Sequence, residues 1–180
     1  MPNYCTFETT ICGDAENLQS LKERLGESGI LGVEEYDNLF DEPARKYFEW
    51  GSKWMQFYIE YSEGEDSMYI SGETAWNPIS GLWQRISEKY DVSVSTTYAE
   101  PIVGFAGKDE WKSGEKTFGE EMTYIEHLYH NDYEYFWDSL AKNCAGTELG
   151  EAISALGRAY EKMSDSERRK VAEIHQAENE

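Results

Sequence analysis

Residues 68–99 read MYISGETAWNPISGLWQRISEKYDVSVSTTYA, and this run decides the fold. Met68 to Trp76 reads as one strand, and Asp91 to Ala99 as another. In the second, Val92, Val94, Thr96 and Tyr98 oppose Ser93, Ser95 and Thr97, the two-residue period of a half-buried strand. Between them Asn77 suits an N-cap and Pro78 a first helical position, while Ile79, Leu82, Trp83, Ile86 and Tyr90 recur at helical spacing. That pattern predicts an amphipathic helix.

Upstream, Lys53 to Tyr61 alternates again, Met55, Phe57 and Ile59 against Trp54, Gln56, Tyr58 and Glu60, and a Glu63-Gly64-Glu65-Asp66 turn makes a hairpin with Met68 onward. Residues 4–12 set Cys5, Phe7, Thr9 and Ile11 against Thr6, Glu8 and Thr10. Asp14 then caps a helix whose Leu18, Leu21 and Leu25 share one face as far as Gly26. The order β-α-β-β-α-β is that of the ferredoxin-like split unit, so the expected class is α+β. Residues 27–51, broken by Gly29, Gly32 and Pro43, read as an irregular insertion with room for a short helix around Val33, Tyr36, Leu39, Phe40, Tyr47 and Phe48.

Downstream, Lys108 to Gly119 reads as a polar hairpin around Ser113-Gly114, followed by a helical C-terminal extension. Tyr133, Phe136, Trp137 and Leu140 form one apolar stripe; Leu149, Ile153, Leu156, Tyr160 and Met163 form a second after a Thr147 cap; Ser164 and Glu167 form a capping box for a third. The expected organisation is a ferredoxin-like domain over 1–107, an acidic and aromatic connector over 108–130, and the helical extension over 131–180.

Four motifs carry a family resemblance: Met1-Pro2-Asn3-Tyr4-Cys5, Gly51-Ser52-Lys53-Trp54, Thr74-Ala75-Trp76-Asn77-Pro78, and Tyr98-Ala99-Glu100 leading into Gly104-Phe105-Ala106-Gly107. In that order they resemble the YubB-type ferredoxin-like domain family of conjugative plasmids and bacteriophages, over roughly the first 107 residues. The resemblance implies an accessory protein of a mobile element and supplies no activity.

The chain holds 36 Asp and Glu against 16 Lys and Arg, a net charge of -20. Such a field repels nucleic acid and anionic lipid and favours basic partners. Aromatic residues at 14% set the chain apart from a disordered acidic tail. Cys5, Cys12 and Cys144 form no C-x-x-C pair, and Cys5 and Cys12 fall on opposite faces of one strand, which points to reduced thiols in a cytoplasm. No run approaches a membrane span. No Walker loop, G-x-S-x-G, H-E-x-x-H or G-x-G-x-x-G occurs, so neither a catalytic site nor a cofactor is expected. His127 and His130 beside Glu126 and Asp132 offer imidazoles to a metal, yet a structural zinc site needs four ligands; two surface histidines is the plainer account.

Two surfaces are candidates for a partner. The segment 119–138 interleaves Glu120, Glu121, Glu126, Asp132, Glu134 and Asp138 with Tyr124 and Tyr129 and contains no Lys or Arg; carboxylates spaced along a helix can stand in for phosphates. The open face of the sheet carries Trp54 and Tyr58 with glutamates in place of the cations of an RNA-binding face, so it suits a protein partner or burial under the extension. The Arg168-Arg169-Lys170 island is expected to pair with acids such as Glu167 and Glu173. The expected function is therefore that of a non-enzymatic phage or plasmid protein. It would inhibit a host defence complex, as an anti-CRISPR or anti-restriction DNA mimic, by occluding a basic nucleic-acid site; the alternative is an assembly module using the sheet face.

Overall fold

The computed structural model describes residues 3–26, 28–31, 39–40, 51–61 and 66–179. It resolves into two compact units, Met1–Val103 with Gly107–Glu120, and Gly104–Ala106 with Glu121–Glu180.

The strands are β1 (Tyr4–Cys12), β2 (Ser28–Leu31), β3 (Met55–Tyr61), β4 (Ser67–Ala75), β5 (Ser93–Glu100), β6 (Phe105–Lys112) and β7 (Glu115–Thr123). They form one sheet in the order β2-β3-β4-β1-β5-β6-β7. The four strands expected from sequence are the consecutive core β3-β4-β1-β5, with helices α1 (Ala15–Leu25) and α2 (Ser80–Lys89) in the intervening chain. The fold is thus α+β and ferredoxin-like, but the plain βαββαβ layout is corrected to seven strands. β2 comes from the stretch expected to be irregular and pairs antiparallel with β3. The 108–119 hairpin extends the opposite edge as β6 and β7. Each added strand supplies partners for N–H and C=O groups that an edge would leave open.

Burial along β1 alternates without a break: Cys5, Phe7, Thr9 and Ile11 are buried, while Tyr4, Thr6, Glu8, Thr10 and Cys12 are exposed. The Phe7 ring meets Trp83 of α2 edge-to-face at 5.7 Å. Leu18, Leu21 and Leu25 are the buried stripe of α1, and Leu82, Trp83 and Ile86 that of α2. Buried hydroxyls are paired: Thr9 and Thr96, opposite each other in register, share a 2.6 Å hydrogen bond. Within the 27–51 stretch, Leu39 and Phe40 are buried and the Tyr90 hydroxyl donates to the Leu39 carbonyl at 2.9 Å. Val33, Tyr36, Tyr47, Phe48 and the Glu63-Gly64-Glu65 turn lie outside the described residues.

α2 starts two residues later than its sequence signals. Ile79 is the N-cap and Ser80 the first helical residue, because Asn77 N–H turns back to the Ala75 carbonyl and Trp76 adopts φ 71°.

The second unit contains α3 (Tyr124–Asn131), α4 (Tyr133–Cys144), α5 (Leu149–Ala155), α6 (Ala159–Lys162) and α7 (Asp165–Asn179). Its core joins Ile125, Leu128, Phe136, Leu140, Cys144, Leu156, Met163 and Val171. The single helix expected over the Leu149 to Met163 stripe is split into α5 and α6 at Gly157, whose φ of 53° ends the first segment. The cap of α5 is Glu148 in a capping box with Glu151, not Thr147. The Ser164–Glu167 box forms as expected.

Gly72 of β4 has no room for a side chain, since a Cβ there would collide with the Gln56 carbonyl and the Phe7 ring. Gly72→Ala is expected to cost about 2 kcal/mol and to lower the thermal midpoint by about 4–8 °C. Gly150→Ala, in helical α5 with open space around it, is expected to stabilise by about 0.5–1 kcal/mol. Thermal unfolding followed by circular dichroism checks both; equal effects would contradict the packing described.

Candidate functional site

The residues of the acidic segment do not form one helical row. Glu120 and Glu121, in the stretch read from sequence as an acidic and aromatic connector, lie on strand β7. Glu126 is buried, 4% exposed, in the first turn of α3. Its carboxylate accepts from Arg158 Nε at 3.2 Å, while Arg158 Nη2 donates to the Glu121 carbonyl at 3.1 Å. Gly157 completes this cradle, since a Cβ there would strike the Glu126 carboxylate. Glu126 is therefore removed from the partner-binding set: a buried carboxylate needs its counter-charge and cannot also face a partner. Asp132 accepts the Tyr135 N–H at 3.2 Å as the N-cap of α4. Glu134 and Asp138 are exposed on α4. Tyr124 is half-buried and stacks on His127, ring centroids 6.4 Å apart.

Tyr129 belongs to an internal node. Its hydroxyl and that of Tyr133 both donate to Glu167 Oε1, at 3.2 and 3.0 Å, while Ser164 N–H and hydroxyl donate to Oε2 at 2.7 and 2.6 Å. The Ser164 hydrogen bonds, helped by the two tyrosines, hold the Glu167 carboxyl at about 2 against an ordinary 4.5. Tyr129, Tyr133, Phe136 and Trp137 pack ring on ring at 4.8 to 6.1 Å. Lys170 Nζ lies 3.8 Å from the Trp137 ring centroid. Arg168 donates to the Tyr160 and Glu161 carbonyls at the end of α6. The basic island thus serves carbonyls and a ring, not the expected Glu167 and Glu173 pairs; a helix C-terminus and an indole face both attract cations.

On the first unit's sheet, Tyr58 is 59% exposed, its hydroxyl 3.4 Å from Gln56 Nε2. Trp54 is half-buried against Tyr4, ring centroids 5.9 Å apart. Register places Tyr58 opposite Ser71, Ser71 opposite Glu8, and Glu8 opposite Thr97. Flanking rows align Gln56, Glu73 and Thr6, and Glu60, Tyr69 and Thr10. Glu8, Glu60 and Glu73 are exposed. Burial, then Glu8 by charge and hydrogen bond, raises the Tyr69 phenol above its usual range.

Sequence reasoning missed Glu100. It is 0% exposed, and its Oε2 accepts the Val103 N–H while Oε1 is buried without a hydrogen bond. The carboxylate closes the 101–104 turn, on which Ile102 and Val103 stand 74% and 68% exposed. A glutamate ending a strand just before a proline was the available signal. The buried Cys5 thiol is pushed up to about 12 by burial. His127 and His130 gather no cluster of three His, Cys, Asp or Glu among the described residues, and no helix among them is long and apolar enough to cross a membrane.

The Glu167 node sets an acid-sensitive contribution to stability. Its carboxyl titrates lower when folded, so the contribution is complete above pH 4.5 and is lost as pH falls toward 2. Glu167→Gln is expected to cost about 1 kcal/mol at pH 7, discounted for solvent screening. In chemical denaturation the difference from the parent should close across that window; a pH-independent difference would refute the carboxylate's role.

Residues 55–137 match the model of a family described as "Ferredoxin-like domain in Api92-like protein". The match runs from β3 through the β6–β7 hairpin and α3 into α4, whereas the motif resemblance lies on the first 107 residues. Among solved structures, a protein api92 from Yersinia pseudotuberculosis is similar at 18% identity and a TM-score of 0.34, over 49% of this chain and 29% of that one. The chain thus spans under a third of that protein. No curated protein matches. The segment 55–137 is accordingly similar to the ferredoxin-like domain of Api92-like proteins, a family whose description names a fold and no activity.

Proposed function

We propose that this chain is a non-enzymatic accessory protein of a phage or plasmid, of the YubB-type group that its motifs resemble. It acts in the host bacterial cytoplasm, where it binds and inhibits a defence complex such as a CRISPR effector or a restriction enzyme. It does so by stoichiometric occlusion, presenting carboxylates and aromatic rings to a basic nucleic-acid channel. What supports this reading is where the cations go. Arg158 sits against Glu126 and a carbonyl, Arg168 on carbonyls and the Tyr160 ring, Lys53 over Trp76, Lys142 over Tyr135 and Lys170 over Trp137. Each of these cations is held on a ring, a carbonyl or, for Arg158, a buried carboxylate, and exposed carboxylates such as Glu8, Glu60, Glu73, Glu121, Glu134 and Asp138 dominate the outer field by number in a chain of net charge -20. Opposite fields speed encounter and confer specificity.

A second reading, an assembly module on the open sheet face, is favoured by the exposure of Tyr58 and would show little dependence on salt. The two separate in one titration of purified CRISPR effectors and restriction enzymes with the chain, reading displacement of labelled DNA. Displacement is expected near one chain per complex, weakening about tenfold or more from roughly 0.05 to 0.3 M salt as exposed charges are screened. Undisturbed DNA occupancy across the panel would sink the inhibitor reading.

A further inference from the structure

We propose that the open face of the first unit's sheet is the docking site for an extended lysine- or arginine-rich segment of a partner protein, its basic side chains lying across Tyr58 among Glu8, Glu60 and Glu73. This rests on the reading of the chain as a binder of basic proteins and assigns the site. The strands β1, β3, β4 and β5 read YCTFETTIC, MQFYIEY, SMYISGETA and SVSTTYAE, without a single Lys or Arg. The exposed charges of their outward face, Glu8, Glu60 and Glu73, are all of one sign. They lie along and across the strands from a tyrosine ring that is 59% exposed.

Register gives the pattern its shape. Glu60 and Gln56 are two residues either side of Tyr58 on β3, Glu73 is opposite Gln56 on β4, and Glu8 follows Ser71 across from Tyr58. Neighbouring strands lie about 4.8 Å apart and alternate residues about 6.8 Å apart. On those spacings Glu60 is about 6.8 Å from Tyr58 along β3, Glu73 about 8.3 Å on the diagonal and Glu8 about 9.6 Å away across Ser71, so an extended chain lying over Tyr58 has a carboxylate within reach along β3 and across the strands toward β1. A guanidinium or ammonium over the phenol ring gains a cation–π contact with carboxylates at its rim.

Charge complementarity selects this occupant over the others. Over β3, β4, β1 and β5, nucleic acid and anionic lipid meet like charge; Lys108 and Lys112 lie beyond this area on β6, Lys108 paired with Glu110 at 2.7 Å. A second copy would set three glutamates against three glutamates, and like charges facing each other are destabilising.

The probe is a synthetic twelve-residue peptide alternating arginine and serine, titrated into the full chain at low salt and followed by amide chemical shifts and calorimetry. Shifts are expected to centre on Tyr58, Ser71 and Glu8. The triple variant Glu8→Gln, Glu60→Gln, Glu73→Gln should weaken binding about tenfold or more, and Tyr58→Ala about threefold. The control Glu134→Gln, Asp138→Gln on α4 of the second unit should stay within about twofold, since exposed charges that do not touch the peptide are screened and contribute little. Circular dichroism confirms that each variant is folded. Binding lost in the α4 control and retained in the sheet variants overturns the site and leaves the basic-partner reading standing. A parent chain that does not bind the peptide at all overturns both.

Discussion

The molecule's first unit depends on one constraint, the position of β1 between β4 and β5. Each of its nine residues, Tyr4 to Cys12, is in register with β4, and seven of them, Thr6 to Cys12, also with β5. A strand paired on both edges cannot slip by one residue without sending Phe7 and Ile11 to solvent and Glu8 into the core, a reversal of every side chain at once. The Thr9–Thr96 hydrogen bond adds a polar lock to this register, since a slipped strand would leave buried hydroxyls unpaired. The same alternation that buries Cys5 and Phe7 therefore places Glu8 outward, in line with Tyr58 and Ser71. Core and acidic face are two consequences of one register.

The second unit is organised by two carboxylates with internal duties. Glu126 takes the Arg158 guanidinium, and Glu167 gathers Ser164, Tyr129 and Tyr133. Glu126 is neutralised by its ion pair, whereas Glu167 is held anionic by neutral donors and keeps its charge. Lys170 against Trp137 and Arg168 against the end of α6 hold their charges on a ring and on carbonyls at the surface of the unit. The external field is negative because 36 acidic residues outnumber 16 basic ones.

The reading from residues succeeded where one physical signal acted alone. Alternation in β1 and the leucine stripe of α1 were legible because burial of one face is a local pattern. It failed where a distant partner decided the outcome. Ser28–Leu31 has too few residues to show a period, and it is a strand because β3 offers it a ladder. Leu149 to Met163 has an unbroken helical stripe, yet Gly157 interrupts it beside the Glu126 carboxylate. Glu120 and Glu121 share the composition of the helix that follows but pair as strand.

The sequence by itself determined the α+β class, the core strands and their faces, the capping box at Ser164 and the negative charge, because periodicity, capping and net charge are properties of neighbouring residues or of simple sums. Only the tertiary structure decided which carboxylates face outward. Glu126 and Glu134 are alike in sequence, one acid each within an aromatic stretch, yet Glu126 is buried on Arg158 and Glu134 is exposed. Charge neutralisation is a matter of distance in space, and the residues that neutralise a carboxylate stand far away along the chain.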